Sequence, residues 1–121
     1  MDGRVQLPVI DYLKKRFKVD YVDVVTEPGP NRILAKQSNA ILVKSIFDRL
    51  GISVHHHGST GIAVVGHYDC YGNLADKAAQ SKDTQVAIEH IRQRYKDVPV
   101  IGLWVDENWQ VAEIIGDVLG C

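Results

Sequence analysis

The chain has 121 residues, of which 45% are hydrophobic, and this length and composition suit one domain with a buried core. Its 14 basic and 15 acidic residues give a formal net charge of −1. Both signs are scattered along the chain, which excludes the basic surface expected of a protein that binds nucleic acid or an anionic membrane. No apolar run approaches the ~20 residues that span a bilayer, and the first residues lack the apolar stretch of a signal peptide. We therefore expect a single cytoplasmic domain over residues 1–121.

The first half of the sequence predicts two helices and a short strand. Apolar residues recur at helical spacing over residues 6–17, which predicts an amphipathic helix. The β-branched run at residues 21–25 predicts a strand, which the prolines at positions 28 and 30 end. Apolar residues share one helical face again over residues 33–50, and Gly51 offers a C-terminal stop. The longest helix is expected there.

The second half predicts the sheet. After a polar loop with histidines at positions 55–57, residues 61–66 are apolar without alternation, which is typical of a central parallel strand covered on both faces. Asp83 can cap the helix that follows. Residues 99–105 predict another buried strand, and residues 109–115 predict its antiparallel return arm. Helices that alternate with apolar strands predict a three-layer α/β fold, with a mainly parallel sheet, helices on both faces and one antiparallel edge strand.

Two candidate metal ligands follow the predicted central strand, in the segment Gly66-His67-Tyr68-Asp69-Cys70. Ligands of open parallel sheets gather at the carboxyl ends of the strands, where His67 and Cys70 stand. Imidazole and thiolate both suit zinc, and a spacing of three residues on a turn lets them face one ion. Two ligands do not make a zinc site by themselves. The alternative is a hydrogen-bonded histidine beside a buried thiol.

The remaining polar residues have ordinary interpretations when each is taken alone. Asp2 and Arg4 would form a frayed, solvated end. The histidines at positions 55–57 belong to a solvated loop, because adjacent residues rarely converge on one ion. Cys121 is expected to be an inert terminal thiol. Four neighbours of the candidate ligands could form outer hydrogen bonds to them: Tyr68, Asp69, Tyr71 and Asn73.

Together these segments resemble the β-class carbonic anhydrases, in particular their small bacterial branch. Residues 62–70 look like that family's central strand and its Gly-His-x-x-Cys zinc motif, and residues 38–50 look like the helix before it. Residues 99–106 and 109–115 are similar to the family's last strand pair. The segment Met1-Asp2-Gly3-Arg4 looks like the family's Cys-x-Asp-Ser-Arg motif, entered one residue late. The resemblance covers most of the chain.

The resemblance implies a β-carbonic-anhydrase-like fold, a homodimer, and a zinc-dependent lyase that hydrates carbon dioxide to bicarbonate. It implies that His67 and Cys70 are zinc ligands. It also implies that Asp2 and Arg4 form a catalytic pair, in which the arginine holds the carboxylate. The carboxylate would then orient the nucleophile or occupy the open coordination site of zinc.

The sequence departs from the family's pattern at its start. The first cysteine ligand and its strand would precede Met1, Gly3 replaces a serine, and Tyr71 replaces the glycine after the zinc motif. We expect either that the chain is a shortened form of a longer protein, such as one begun at an internal methionine, or that another segment fills the gap, as in a swapped or tightly paired dimer. The alternatives in function are a non-catalytic protein with an incomplete metal site, and hydrolysis of a related small electrophile.

Overall fold

The computed structural model of the protein describes residues 1–116, so Cys121 lies outside the described residues. Four α-helices, one π-helical turn and three strands follow one another: α1 (Gly3–Phe17), α2 (Pro30–Lys36), α3 (Ala40–Gly51), the π-helical turn (Ile52–His56), β1 (Ile62–His67), α4 (Lys77–Arg94), β2 (Val100–Val105) and β3 (Val111–Ile115). The first helix and the three strands lie close to their predicted positions. The protein is therefore an α/β protein with a mixed sheet.

The sheet has the order β1-β2-β3, with β1 parallel to β2 and β3 antiparallel to β2. The predicted parallel strand and its antiparallel return arm are confirmed. The expectation that β1 is central is wrong within residues 1–116, because β1 lies at an edge of this sheet. The strand predicted at residues 21–25 is also absent from this sheet. Its β-branched residues favour an extended backbone, but a cavity lined by Val25 and Val64 lies between this segment and β1.

The predicted helix over residues 33–50 is two helices. Gln37 has a positive φ of 56°, and its N–H donates to the Ile33 carbonyl at 3.1 Å, which ends α2. The Asn39 side chain accepts from the Leu42 N–H at 3.1 Å and begins α3. Gly51 does not stop the helix, because the chain continues directly into the π-helical turn that contains His55 and His56.

The start of α4 also differs from the prediction. Asp76 caps this helix by accepting from the Ala79 N–H at 2.9 Å. Asp83, expected to be the cap, lies almost two turns inside α4 and accepts from the Asn73 side chain at 2.9 Å. Both aspartates can accept such a bond, so sequence alone did not choose between them. Within residues 1–116, no helix is long and apolar enough to cross a membrane.

Two hydrophobic clusters pack against the strands. One contains Ile62 and Val64 of β1 together with buried residues of α2, α3 and α4. The other contains Ile101 and Leu103 of β2 with residues of α1, of which Leu13 is buried. Ala63 and Val65 pack against this second cluster, because successive side chains of a strand point to opposite faces. β1 therefore contributes to both clusters and presents its carboxyl end, with His67, between them.

Candidate functional site

His67 is the last residue of β1, and its ring is fixed by its own loop. The side chain is buried, and Nδ1 lies 2.7 Å from the Tyr68 carbonyl oxygen. A carbonyl can only accept, so Nδ1 donates to it, and Nε2 is the nitrogen that offers a lone pair to a metal when the ring is a ligand. The free thiol of Cys70 is also buried. His67 and Cys70 line one cavity of about 470 Å³, and both have the donor chemistry that zinc takes.

The loop that carries Cys70 is held by backbone packing against residues 28–29. A Cβ on Gly72 would lie 2.1 Å from the Pro28 carbonyl carbon, and a Cβ on Gly29 would lie 2.6 Å from Gly72. The backbones approach too closely for any side chain at either position. Tyr71, by contrast, is 89% exposed. The tyrosine in place of the family's glycine is therefore accommodated, because the contact falls on Gly72.

Asp2 and Arg4 form an ordered pair at the start of α1. Asp2 caps the helix by accepting from the Arg4 N–H at 2.9 Å. Arg4 also donates from its side chain, Nε to Oδ1 at 3.0 Å and Nη2 to Oδ2 at 2.6 Å, the two-pronged geometry in which arginine binds a carboxylate most strongly. The Met1 amino group donates to the Glu27 carbonyl at 3.2 Å. The interpretation of this segment as a frayed end is therefore wrong, and Asp2 lines the same cavity as His67 and Cys70.

Arg4 has two further contacts that fix its guanidinium group. Nη1 lies 3.3 Å from Oδ2 of Asp69, a residue suggested above as an outer partner of the site. The Arg4 Cζ atom lies 4.4 Å from the centre of the Trp109 ring, within the range of a cation–π interaction. Trp109 was not predicted as part of the site, because no local pattern links the hairpin turn to the N-terminus. The N-terminal segment, the loop after β1 and the β2–β3 turn thus meet at Arg4.

The electrostatics of the pair keep Asp2 ionised. Hydrogen bonding from the Arg4 side chain holds the pKa of the Asp2 carboxyl well below its ordinary value, against the opposing effect of burial. The same hydrogen bond raises the pKa of Arg4. Asp2 is therefore a carboxylate at any pH near neutral, and it can accept hydrogen bonds in the cavity but cannot donate them.

We expect the substitution Arg4→Met to raise the pKa of the Asp2 carboxyl toward the ordinary value of ~3.9, which an NMR titration of its carboxyl carbon measures. The folded-state pKa of Asp2 lies below the unfolded value, so its ionised form stabilises the fold above pH ~3.9 and loses that contribution as the pH falls through the folded pKa. Arg4→Met should weaken this loss of stability in acid.

Arg16→Met provides the matched control, because Arg16 pairs with Glu113 at 3.1 Å on another part of the surface. This variant should leave the titration of Asp2 unchanged. An Asp2 titration that is the same in wild type and Arg4→Met would show that the arginine does not set the ionisation of this carboxylate.

His67 and Cys70 are donors of the type that zinc takes, but two donors are fewer than a zinc site needs. A catalytic zinc site takes three protein ligands with an open position, and a structural site takes four. Within residues 1–116, no group of three or more histidine, cysteine, aspartate and glutamate side chains is arranged to hold a metal ion. The end of β1 and the loop after it therefore offer two zinc donors, His67 and Cys70, without a third beside them among the described residues.

The other candidates lie elsewhere or act through the backbone. His57 Nδ1 lies 2.6 Å from Asp23, and these residues line a different cavity. His55 stacks at a tilt on Tyr95. The backbone carbonyl of Tyr68 fixes the His67 ring, although the Tyr68 side chain itself is half exposed. The histidines at positions 55–57 belong to a helical turn and its end, and not to the loop that was expected there.

A cluster of buried polar side chains behind the site was not predicted from the sequence. Gln80 and Thr84 of α4 are almost fully buried, and Asn31 of α2 is buried against them. A signal for these residues was present in the sequence, because Gln80 and Thr84 fall on the same helical stripe as the buried apolar residues Ala87 and Ile91. A polar residue on the stripe of a helix that faces the core is expected to find an internal hydrogen-bond partner.

These features define a small α/β protein with two zinc-type donors and an arginine-bound carboxylate around one cavity at the end of a parallel strand. A family model described as "Putative carbonic anhydrase" matches residues 1–115. The chain belongs to this carbonic-anhydrase-like family, as the resemblance implied. Neither the comparison with curated proteins nor that with solved structures gave a match.

Proposed function

We propose that the protein hydrates carbon dioxide to bicarbonate, with zinc as its cofactor. The observation that carries the proposal is that Asp2, which is paired with Arg4, lines the same cavity as His67 and Cys70. These four residues match the two motifs of the family in kind and order, and the family model spans both motifs. His67 and Cys70 would be the zinc ligands, and Asp2 and Arg4 the catalytic pair.

The chemistry joins water to carbon dioxide: one bond forms between the water oxygen and the carbon, one carbon–oxygen π bond opens, and a proton leaves. Zinc, when bound, supplies a water acidified enough to react near neutral pH. Asp2 is held as a carboxylate by Arg4, so it can accept a hydrogen bond from the attacking water and orient it. Apolar walls that include Val5, Val9 and Val64 suit an apolar substrate such as carbon dioxide.

We expect Asp2→Asn to lower the rate of carbon dioxide hydration by about tenfold to a hundredfold, because the amide can no longer accept at both oxygens and loses its charged contact with Arg4. Stopped-flow measurement with a pH indicator gives the rate. Asp11→Asn is the matched control, since Asp11 lies exposed on α1, and its rate should equal that of wild type. Equal rates for Asp2→Asn and Asp11→Asn would remove the pair from the mechanism.

The second candidate is a non-catalytic carbonic-anhydrase-like protein with an incomplete metal site. It is favoured by the absence of a group of three metal-binding side chains within residues 1–116. The same stopped-flow experiment separates the candidates. A zinc-loaded wild-type chain with no hydration above the rate of buffer would support the second candidate and reject the first.

We also propose two finer features, the three-layer arrangement that the alternation of helices and strands predicts and the homodimer that the family resemblance implies. The first is the three-layer arrangement, which is supported by the two hydrophobic clusters that pack on β1 and β2. The second is a homodimer, which is supported by the outer edge of β1, along which no other described strand lies. Light scattering at micromolar concentration tests the dimer, and a monomeric mass would reject it.

A further inference from the structure

Gln80 makes an unusual set of hydrogen bonds to the residue that ends β1. Its side chain is 1% exposed. Oε1 accepts from the His67 N–H at 3.2 Å, and Nε2 donates to the His67 carbonyl at 2.9 Å. The side-chain amide therefore pairs with both main-chain groups of one residue. A buried amide that is satisfied in this way fixes the backbone it contacts.

The direction of the strand hydrogen bonds explains what this pairing replaces. The Ile62 and Tyr68 N–H groups donate toward β2, to the carbonyls of Pro99 and Val105. In a parallel ladder, alternate residues direct both main-chain groups to the same side. The main-chain groups of His67, an odd-numbered residue, therefore point away from β2, toward the open edge of β1. Gln80 provides there the acceptor and donor that a peptide group of a further strand would provide.

Gln80 also joins both ends of the loop that follows β1. Nε2 lies 3.0 Å from the Asn73 carbonyl and 3.1 Å from the Ala75 carbonyl, in addition to its bond to His67. Cys70 lies between these anchor points. One side chain of α4 therefore fixes where the loop leaves the strand and where it returns to the helix.

The orientation of the Gln80 amide is fixed by its neighbours. Asn31 Nδ2 donates to Gln80 Oε1 at 3.4 Å and to Thr84 Oγ1 at 3.3 Å. Gly66 leaves room for this arrangement, since a Cβ there would lie 3.0 Å from both Asn31 Nδ2 and Gln80 Oε1. The network has no unsatisfied buried side-chain atom among the described residues. The amide is thus preorganised before any ligand binds.

We propose that Gln80 is a positioning residue that pairs with His67 as a neighbouring strand would, and that it holds His67 and Cys70 in their relative places. That these two residues are zinc donors rests on the proposed function; that Gln80 sets the conformation of their loop does not. The loop should therefore become mobile when Gln80 is replaced, even where the rest of the fold persists.

The test compares Gln80→Leu with Thr84→Val, both in a Cys121→Ser background so that Cys70 is the sole thiol. Thr84 belongs to the same buried network but has no hydrogen bond to the loop over residues 67–75. Thr84→Val therefore measures the effect of disturbing the network without removing a bond to the loop. Two rates are measured in native buffer: modification of Cys70 by a disulfide reagent, and hydrogen exchange of the His67 amide. Urea unfolding of each variant gives the contribution from global opening.

Gln80→Leu should accelerate both rates by about tenfold or more beyond the increase that global unfolding of the variant accounts for. Thr84→Val should show no such additional acceleration. Equal acceleration in the two variants, or none in Gln80→Leu, would overturn the proposal. If Gln80→Leu does not fold, Gln80→Glu answers the same question, because it keeps the acceptor for the His67 N–H and loses the donor to the three carbonyls. Zinc affinity is measured in parallel: a wild-type chain that binds no zinc would reject the proposed function, while the two rates still decide the role of Gln80.

Discussion

A chain extended before Met1 by a strand-length segment that ends in cysteine is expected to bind zinc at least about tenfold more tightly than the present chain, and to hydrate carbon dioxide faster. His67 and Cys70 supply two donors, whereas a catalytic zinc ion takes three from the protein. Met1 lines the same cavity as both donors. A cysteine joined directly to Met1 would therefore enter the cavity beside them.

The geometry of β1 explains why the extension should include a strand. The main-chain groups of Ala63 and Val65 point away from β2, by the same alternation that applies to His67. Ala63 and Val65 line the cavity, and Val24 and Val25 line it as well. An extended segment placed there would gain hydrogen bonds from β1 and bury apolar side chains, which would hold its terminal cysteine in place.

Two controls make this prediction decisive. The same extension ending in serine adds the strand without the thiolate, and the cysteine extension with His67→Ala adds the thiolate but removes an original donor. Zinc affinity is measured by competition with a chelator, and hydration by stopped flow. Equal values for the present chain and the cysteine extension would show that the additional cysteine is dispensable, and activity that survives His67→Ala would exclude this site from the mechanism.

His67→Ala in the present chain is expected to abolish zinc binding and any carbon dioxide hydration above buffer. The substitution removes the donor whose Nε2 is left free by the hydrogen bond from Nδ1 to the Tyr68 carbonyl. The thiolate of Cys70 would then be the one remaining donor of the two, and one protein ligand does not retain zinc. Metal content after dialysis and stopped-flow rates measure the effect, and circular dichroism checks that the variant is folded.

The control for this variant is His56→Ala, because His56 is an exposed histidine in the run of three. It should retain the zinc content and rate of wild type. A loss of zinc in His56→Ala with retention in His67→Ala would place the metal at the histidine run, and the interpretation of the site would be wrong.

The three strands were predictable because the signals that indicate them lie within short, continuous segments of the sequence. The apolar, β-branched runs of β1 and β2 indicate buried strands, and Asp106 and Asn108 between β2 and β3 indicate a turn. The break between α2 and α3 was not predictable from apolar spacing. It depends on the backbone conformation of Gln37 and the cap from Asn39, two polar residues that fit an exposed helical face equally well. The edge position of β1 depends on which segments pair, which periodicity does not determine.

The candidate site also has a part that the sequence indicated and a part that it did not. His67 and Cys70 were found from a short motif after a strand, and the family resemblance pointed to Asp2 and Arg4. Their ordering was not predictable, because it depends on contacts between distant parts of the chain, such as Arg4 with Trp109. Gln80 was missed because a polar residue near the start of a helix ordinarily faces water.

X-ray absorption at the zinc edge of the zinc-loaded wild-type chain tests the central claim most directly, with Cys70→Ser as its comparison. The claim is that His67 and Cys70 bind the same zinc ion in the cavity they share. It predicts one sulfur neighbour at ~2.3 Å and nitrogen or oxygen neighbours at ~2.0–2.1 Å, with the sulfur contribution lost in Cys70→Ser. A spectrum without sulfur in wild type, or one unchanged by the substitution, would contradict it.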